Sequence, residues 1–303
     1  MRHTLLAGLF LLLPAGFAQR ASPPKAMVDL RADVNLVLIP ITVTDRRGTT
    51  ILGLGEDKFA LWDGRAPQSI VTFHTEDGPC SVGVVIDMSG SMRNTLGMAK
   101  QLVRAFLKAS NPDDEFFLVG VSSKPETFSQ FTTDVDELGG KLVFAGAGGS
   151  TALVDSIYEA LARVRSAHTS RKALLIVSDG MDNNSRHSKA ELLRLAVEAD
   201  TQIYTIAIDG APAYLKPVEA AEFRRGLSFM EEMAKQTGGL NFVIRNPADA
   251  PRAADKVGMA LRNQYVIGFR PQSQDDSGKF HRLRIQVKLP DARIYARSGY
   301  YAP

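Results

Sequence analysis

The sequence predicts an α/β protein: a doubly wound, mostly parallel sheet with a small flanking β unit built from the N- and C-terminal segments. Three observations carry this. Between residues 79 and 263, short apolar runs of strand length alternate with stretches that are apolar at helical spacing. Several of those runs, Val82–Ile86, Phe116–Val121, Leu174–Val177 and Ile203–Ile208, show no polar alternation, which is the pattern of strands buried on both faces. Before and after this region the chain reads as β only, with turn dipeptides and no helical period.

The 303 residues are 45% hydrophobic and 23% charged, the range of a soluble globular protein large enough for a main domain and a smaller companion. A net charge of +3, without a dense Lys/Arg stripe interleaved with aromatics, argues against a nucleic-acid partner. Arg2 and His3 precede an apolar run, Leu5–Leu13, too short to span a bilayer comfortably, and Gly16-Phe17-Ala18 supplies the small residues of a cleavage site. Residues 1–18 therefore read as a secretory signal peptide, with a retained N-terminal anchor as the alternative. No later run is long enough to span a membrane, so the mature chain is expected without a transmembrane segment and secreted, or in the periplasm or cell envelope. Residues 19–30, with Pro23 and Pro24, form a linker. Cys80 is the single cysteine, so no internal disulfide is available, and its place against the first core strand suggests an inert buried thiol.

Residues 31–78 form the N-terminal β segment. Val34, Leu36, Leu38, Ile41 and Val43 are strand-like around Pro40, and Phe59–Gly64 and Ile70–Phe73 give two more short strands, the first ending in an Asp63-Gly64 turn. Trp62 is read as a packing residue. In the central region 79–263, Leu96, Ala99, Leu102, Val103 and Phe106 stripe one helix, and Leu153, Ile157, Ala160, Leu161 and Val164 a second. Glu126–Phe131 suggests an edge strand, and Thr133-Asp134 a helix cap. A helix over Lys189–Ala199 precedes the Ile203 strand. Residues 211–226 carry two prolines and no clear period, so an irregular insertion is expected there, followed by a helix over Leu227–Gln236, a strand over Leu240–Ile244 and a last helix over Pro247–Asn263. In the C-terminal β segment, 264–303, the middle strand alternates Leu283, Ile285, Val287 and Leu289 with Arg282, Arg284, Gln286 and Lys288, the pattern of a half-exposed antiparallel sheet whose basic face is read as solvated, with an acidic partner as the alternative.

The chemistry gathers where the first buried run ends. Val82–Ile86 stops at Asp87, and Ser89 and Ser91 follow at every second position, so three oxygen-bearing side chains can converge before a helix that starts near Met92. A strand end, an oxygen-rich loop and a helix start together mark the usual ligand position of an open α/β sheet.

This Asp-x-Ser-x-Ser resembles the first segment of the metal-ion-dependent adhesion site of von Willebrand factor A domains. The two further segments that the resemblance calls for occur in order. Thr151 sits in Gly148-Gly149-Ser150-Thr151-Ala152-Leu153, and Asp179 ends the run Leu174-Leu175-Ile176-Val177-Ser178-Asp179. The alternative is ordinary capping at three helices. The resemblance implies Ser89, Ser91 and Thr151 as hydroxyl ligands and Asp87 and Asp179 as charged ligands of one metal. Hard oxygen donors without His or Cys select Mg²⁺, with Mn²⁺ or Ca²⁺ as alternatives, over zinc. Asp182 is a rival carboxylate, read as loop chemistry or a helix-cap neighbour because Asp179 holds the strand end. The segments Thr42–Gly48, Phe59–Gly64 and Arg297–Pro303 are similar to those of secreted von Willebrand factor A-related proteins of Acidobacteria.

What the resemblance implies is a secreted adhesion or assembly module, not an enzyme, that binds a protein partner whose Asp or Glu completes the metal's coordination. Two other classes compete. A Mg²⁺-dependent phosphoryl-transfer enzyme of the haloacid-dehalogenase type would want a second aspartate where Ser89 stands, and neither a Gly-x-Ser-x-Gly elbow nor a Walker loop occurs. A structural envelope protein with a degenerate site is disfavoured because all five ligand positions are filled.

Overall fold

The computed structural model describes residues 36–210, 216–271 and 278–302. The signal peptide and linker expected over residues 1–30 lie outside the described residues. The N-terminal segment forms four strands: β1 (Val37–Thr44), β2 (Phe59–Asp63), β3 (Ala66–Gln68) and β4 (Thr72–Glu76). The central region runs β5 (Cys80–Asp87), α1 (Leu96–Ala109), β6 (Glu115–Val121), β7 (Pro125–Thr127), α2 (Val135–Phe144), α3 (Leu153–Val164) and β8 (Arg171–Ser178). It continues through α4 (Lys189–Glu198), β9 (Gln202–Ile208), α5 (Pro217–Thr237), β10 (Asn241–Ile244) and α6 (Ala250–Arg262). Four strands close the chain: β11 (Gln264–Phe269), β12 (Phe280–Val287), β13 (Arg293–Tyr295) and β14 (Gly299–Tyr301).

All eight residues of β5 are buried, as the uninterrupted apolar run requires. The strand lies inside a six-stranded sheet of order β10-β9-β8-β5-β6-β7, parallel except for β7, which returns antiparallel along β6. After β5 the chain adds strands on one side, then crosses over to build the other side from β8. The carboxyl ends of β5 and β8 therefore flank the point where the winding reverses, which is where ligands bind in such sheets. One face packs against α1, α2 and α6 through residues such as Leu102, Phe106, Leu138 and Val257. The other packs against α3, α4 and α5 through Ile157, Leu192 and Met230.

The two β segments combine into one flanking unit, as the sequence predicts. Two antiparallel sheets, β13-β1-β11-β4 and β14-β12-β2-β3, each mix strands from both ends of the chain. Ile39, Ile41, Tyr265 and Ile267 from the first share a core with Phe59, Leu61 and Leu283 from the second. Neither segment has enough apolar surface to stand alone, so mutual burial holds them together. Pro40 is tolerated within β1 because β13 pairs only with Thr42–Thr44, leaving one edge of the strand open at Pro40.

Three expectations are corrected. Residues 217–226 are helical, not irregular: α5 begins ten residues before Leu227. Pro217 occupies the first helical position, where its missing N–H costs nothing, and the Glu219 carboxylate accepts from the Lys216 amide at 3.1 Å. Phe223 and Gly226 extend the buried stripe of Phe229, Met230 and Met233 back toward that start. The polar Glu222-Phe-Arg-Arg225 stretch masks the period in sequence. The edge strand expected over Glu126–Phe131 pairs only at Pro125–Thr127. The helix after the oxygen-rich loop enters through a 3₁₀ turn, Gly90–Asn94, before α1 starts at Leu96.

Candidate metal site

The site is assembled by three loops that leave the carboxyl end of the sheet. Asp87, fully buried, ends β5. Its Oδ1 accepts from the Ser89 amide at 2.9 Å, which curls the loop so that Ser89 follows the strand tightly. Its Oδ2 accepts from the Ser178 hydroxyl at 2.5 Å, and that same hydroxyl accepts from the Gly180 amide at 2.9 Å. Ser178 thus clamps the first loop to the third.

The second loop is tied in by backbone. The Gly148 amide donates to the Met88 carbonyl at 2.9 Å, and the Gly90 amide donates to the Gly149 carbonyl at 3.0 Å. Gly149 turns the chain with a φ of +77°, a conformation glycine adopts without strain. Thr151 then receives bonds from both sides: its amide donates to Asn183 Oδ1 at 2.9 Å, and its carbonyl accepts from the Asn183 and Asn184 amides.

Asp179 starts the third loop, with its Oδ1 accepting from the Met181 amide at 3.0 Å. Behind it the chain touches α5 backbone to backbone. Gly180 has a φ of +80°, and a Cβ built on Gly226 would lie 2.3 Å from the Gly180 carbonyl oxygen. No side chain fits at that crossing, so two glycines set the depth at which the Asp179 loop sits against the helix. Asp182 is a capping residue, as expected. Its Oδ1 accepts from the Leu153 amide at 2.9 Å and the Ser185 hydroxyl at 2.6 Å, serving the start of α3, where Ala152 offers no side-chain cap.

Four of the five sequence-predicted residues form one bonded cluster. The Ser89 and Ser91 hydroxyls lie 3.0 Å apart, the Ser91 hydroxyl favours the ionised form of Asp179, and Asp87 feels the Asp179 charge. Thr151 is held beside them through its backbone. Ser91 is exposed while Asp87, Ser89, Thr151 and Asp179 are buried, so Ser91 marks the mouth. Burial, reinforced by the neighbouring Asp179, pushes the Asp87 carboxyl up to about 6, and burial likewise raises Asp179. Among the described residues no lysine or arginine bonds to either carboxylate, and no group of three His, Cys, Asp or Glu side chains is placed to hold a metal. What remains is a pair of buried carboxylates with adjoining hydroxyls and no cationic side chain. That donor set fits a hard divalent cation.

Sequence reasoning missed Ser178 and Asn183. Ser178 had a signal, as the one hydroxyl ending an otherwise apolar strand, but its partner depends on the register of β8 against β5. Asn183 had none beyond its place in a polar loop.

Residues 82–181, which span all three loops, match the family model of the von Willebrand factor type A domain. The central sheet and its helices have the fold of that domain. An uncharacterized protein of Borreliella burgdorferi is 24% identical over 182 residues, which cover 54% of this chain and 53% of that protein, so the match spans about half the length of this curated relative. The solved von Willebrand factor type A structure from Catenulispora acidiphila superposes with a TM-score of 0.52 at 12% identity, covering 86% of this chain and 72% of that one. Proximal thread matrix protein 1 from the mussel byssus, solved with a zinc-occupied MIDAS motif, gives a TM-score of 0.50 at 15% identity, over 65% of this chain and 49% of that one. These structural likenesses are likenesses of fold. Among the described residues, no helix of the domain or its flanks is long and apolar enough to cross a membrane.

Proposed function

We propose that this chain is an exported, metal-dependent protein-binding module, in which Asp87, Ser89, Ser91, Thr151 and Asp179 hold Mg²⁺ and a partner's Asp or Glu completes the coordination. The observation that carries the reading is the buried Asp87–Asp179 pair, joined through the Ser89 and Ser91 hydroxyls and matched by no cationic side chain among the described residues. Oxygen-only donors favour Mg²⁺, with Mn²⁺ or Ca²⁺ as substitutes, and the bound cation would supply a Lewis-acidic position for an incoming carboxylate. The zinc reported in the motif of the mussel protein supports the capacity of this fold to take a divalent ion at such a site.

The residues divide the work. Ser178 and the Ser89 amide fix Asp87, so that its oxygens are oriented before any ligand arrives. The Asn183 side chain holds Thr151 in register with the first loop. We read the arrangement as one for binding rather than turnover, its hydroxyls and carboxylates serving as oxygen donors to the ion. Export is proposed from the charged start, apolar run and small-residue cleavage site of residues 1–18.

The test is a partner-capture titration in Mg²⁺ and in excess chelator, repeated with Ser89→Ala and Thr151→Ala. Partner affinity should fall with chelator and in both variants while far-UV circular dichroism stays unchanged. Equal affinity with and without metal, in a folded protein, would mean that the metal loops are not the binding site.

A further inference from the structure

The opposite end of the sheet carries a second, differently built surface. Gly238 and Gly239 lie against Gln202 and Ile203, where β9 begins, so the last turn of α5 and the start of β10 stand at the amino end of the parallel strands, away from the metal loops. A groove of about 520 Å³ opens there, between these residues and β12 and β13 of the flanking unit.

Three features of the groove point to one kind of ligand. Its lining includes Lys235, Arg284 and Arg293, and among the described residues none of the three is paired with a carboxylate; Arg284 rests on the Trp62 ring, 4.1 Å from its centroid. Arg297 also lines it. Its guanidinium bonds to Asp200 and the Leu38 carbonyl, yet among the described residues its buried Nε has no acceptor. Glu231 is the one acidic residue of the lining. Between the cations lie apolar side chains from β12 and β13, including Ile285 and Ile294.

The strands themselves are open on this side. Among the described residues β13 pairs with β1 alone, and the edge is closed only beyond it, where Arg297 bridges to Thr237 and the Ser298 amide donates to the Gln236 carbonyl. β14 pairs with β12 only at Phe280–Arg282, and beyond the Leu283 amide, which donates to Ser298, no described strand covers that side of β12. Unpaired strand edges present rows of N–H and C=O groups that an added strand can satisfy. An extended chain sends alternate side chains to opposite faces, so acidic residues at every second position would all meet the basic side while their neighbours meet Ile285 and Ile294.

We propose that this groove binds an extended acidic peptide segment of a partner protein by strand addition, with Lys235, Arg284 and Arg293 receiving its carboxylates. The assignment does not rest on the metal reading, and the two are separable by chelator.

The experiment uses the full chain and a fluorescently labelled peptide alternating Glu and Thr, followed by polarisation. The comparison probes are a Lys–Thr peptide of equal length and a sulfated oligosaccharide. Expected are binding of the Glu–Thr peptide alone, weakening with added salt, no response to chelator or to Ser89→Ala, and an affinity loss of about tenfold or more in Lys235→Glu with Arg293→Glu. Should the double reversal unfold the protein, Lys235→Gln with Arg293→Gln replaces it, with a smaller loss expected. Equal binding of the two peptides, unchanged affinity in a folded variant, or binding of the sulfated oligosaccharide in place of the acidic peptide would each overturn the proposal.

Discussion

The two ends of the parallel sheet hold unmatched charges of opposite sign, and burial makes them physically unlike. At the carboxyl end, Asp87 and Asp179 are buried together, and Asp87 is pushed up to about 6 by its burial and by the Asp179 charge beside it. At the amino end, Lys235, Arg284 and Arg293 stand exposed, where water solvates them at little cost. A ligand at the first end relieves a penalty already present in the free protein. At the second end it only adds attraction, screened by salt. The α5 helix runs between them, meeting the Asp179 loop at Gly226 and lining the groove at Lys235.

The hardest way to break this arrangement is at the glycine crossing. Gly226→Val puts side-chain atoms where the Gly180 carbonyl and carbon already lie, and both contacts are backbone, so neither can rotate away. Overpacking of this kind costs about 3 kcal/mol or more. Chemical denaturation should show a large fall in midpoint, and metal titration of whatever remains folded should show weakened binding. A variant as stable as the parent would mean that α5 can slide relative to the loop.

Metal addition tests the penalty directly. If a divalent ion occupies the site, the parent should gain about 2.7 kcal/mol at a hundredfold excess over the dissociation constant. Asp87→Asn removes a destabilised charge but turns an amide N–H toward the Ser89 amide or the Ser178 hydroxyl. The two effects oppose each other in the metal-free protein, while the gain from metal should be abolished. Thermal melts with and without Mg²⁺ decide it. An Asn variant that still responds to metal would place the ion elsewhere.

A third, smaller effect concerns the acid that anchors the loop after Asp182. Burial raises the Asp155 carboxyl, but hydrogen bonds from the amides and side chains of His187 and Arg186 outweigh it and bring it to about 2, from an ordinary value of 3.8. A depressed acid stabilises the fold above its unfolded value and loses that contribution as pH falls through the folded one. Asp155→Asn should therefore be less stable than the parent by about 2 kcal/mol near neutrality, with the gap closing between pH 4 and 2. A gap that persists unchanged at pH 2 would assign the cost to lost geometry instead of charge.

The fold was legible because its signals are local. Val82–Ile86 and Leu174–Val177 announce buried strands, and the Leu283/Arg284 alternation announces a half-exposed one, without reference to any partner. The cluster of Asp87, Ser89, Ser91 and Asp179 was legible for a related reason: each residue ends a strand or follows it at fixed spacing, and a parallel sheet brings strand ends together. Ser178 and the Gly180–Gly226 crossing were not, since both depend on how one element sits against another. The groove was hidden for the same cause, its cations coming from α5 on one side and from β12 and β13, much later in the chain, on the other. Alternation along β12 gave Arg284 as part of a basic face, read as solvated, with contact to an acidic partner as the alternative. At residues 217–226 a charged surface diluted the helical period, and only the Pro217 start could have marked it.

The smallest effect sharpens the comparison at its weak end. Arg284 sits over Trp62, the single tryptophan of the chain, on an exposed sheet face. An exposed cation–π contact contributes about 0.5 kcal/mol, so Arg284→Ala should cost no more than about that in stability. Its spectroscopic consequence is larger than its energetic one, because indole emission reports the polarity of its surroundings and no other tryptophan obscures it. Removing the guanidinium should shift the emission, and Arg284→Lys, which restores charge without the planar stack, should recover only part of the parent spectrum. The Glu–Thr peptide should also perturb this emission in the parent if it draws Arg284 toward a carboxylate, while Mg²⁺ at the far end should leave it unchanged. Emission that follows Mg²⁺ instead would mean that the two ends of the sheet are coupled, and their separate treatment would fail.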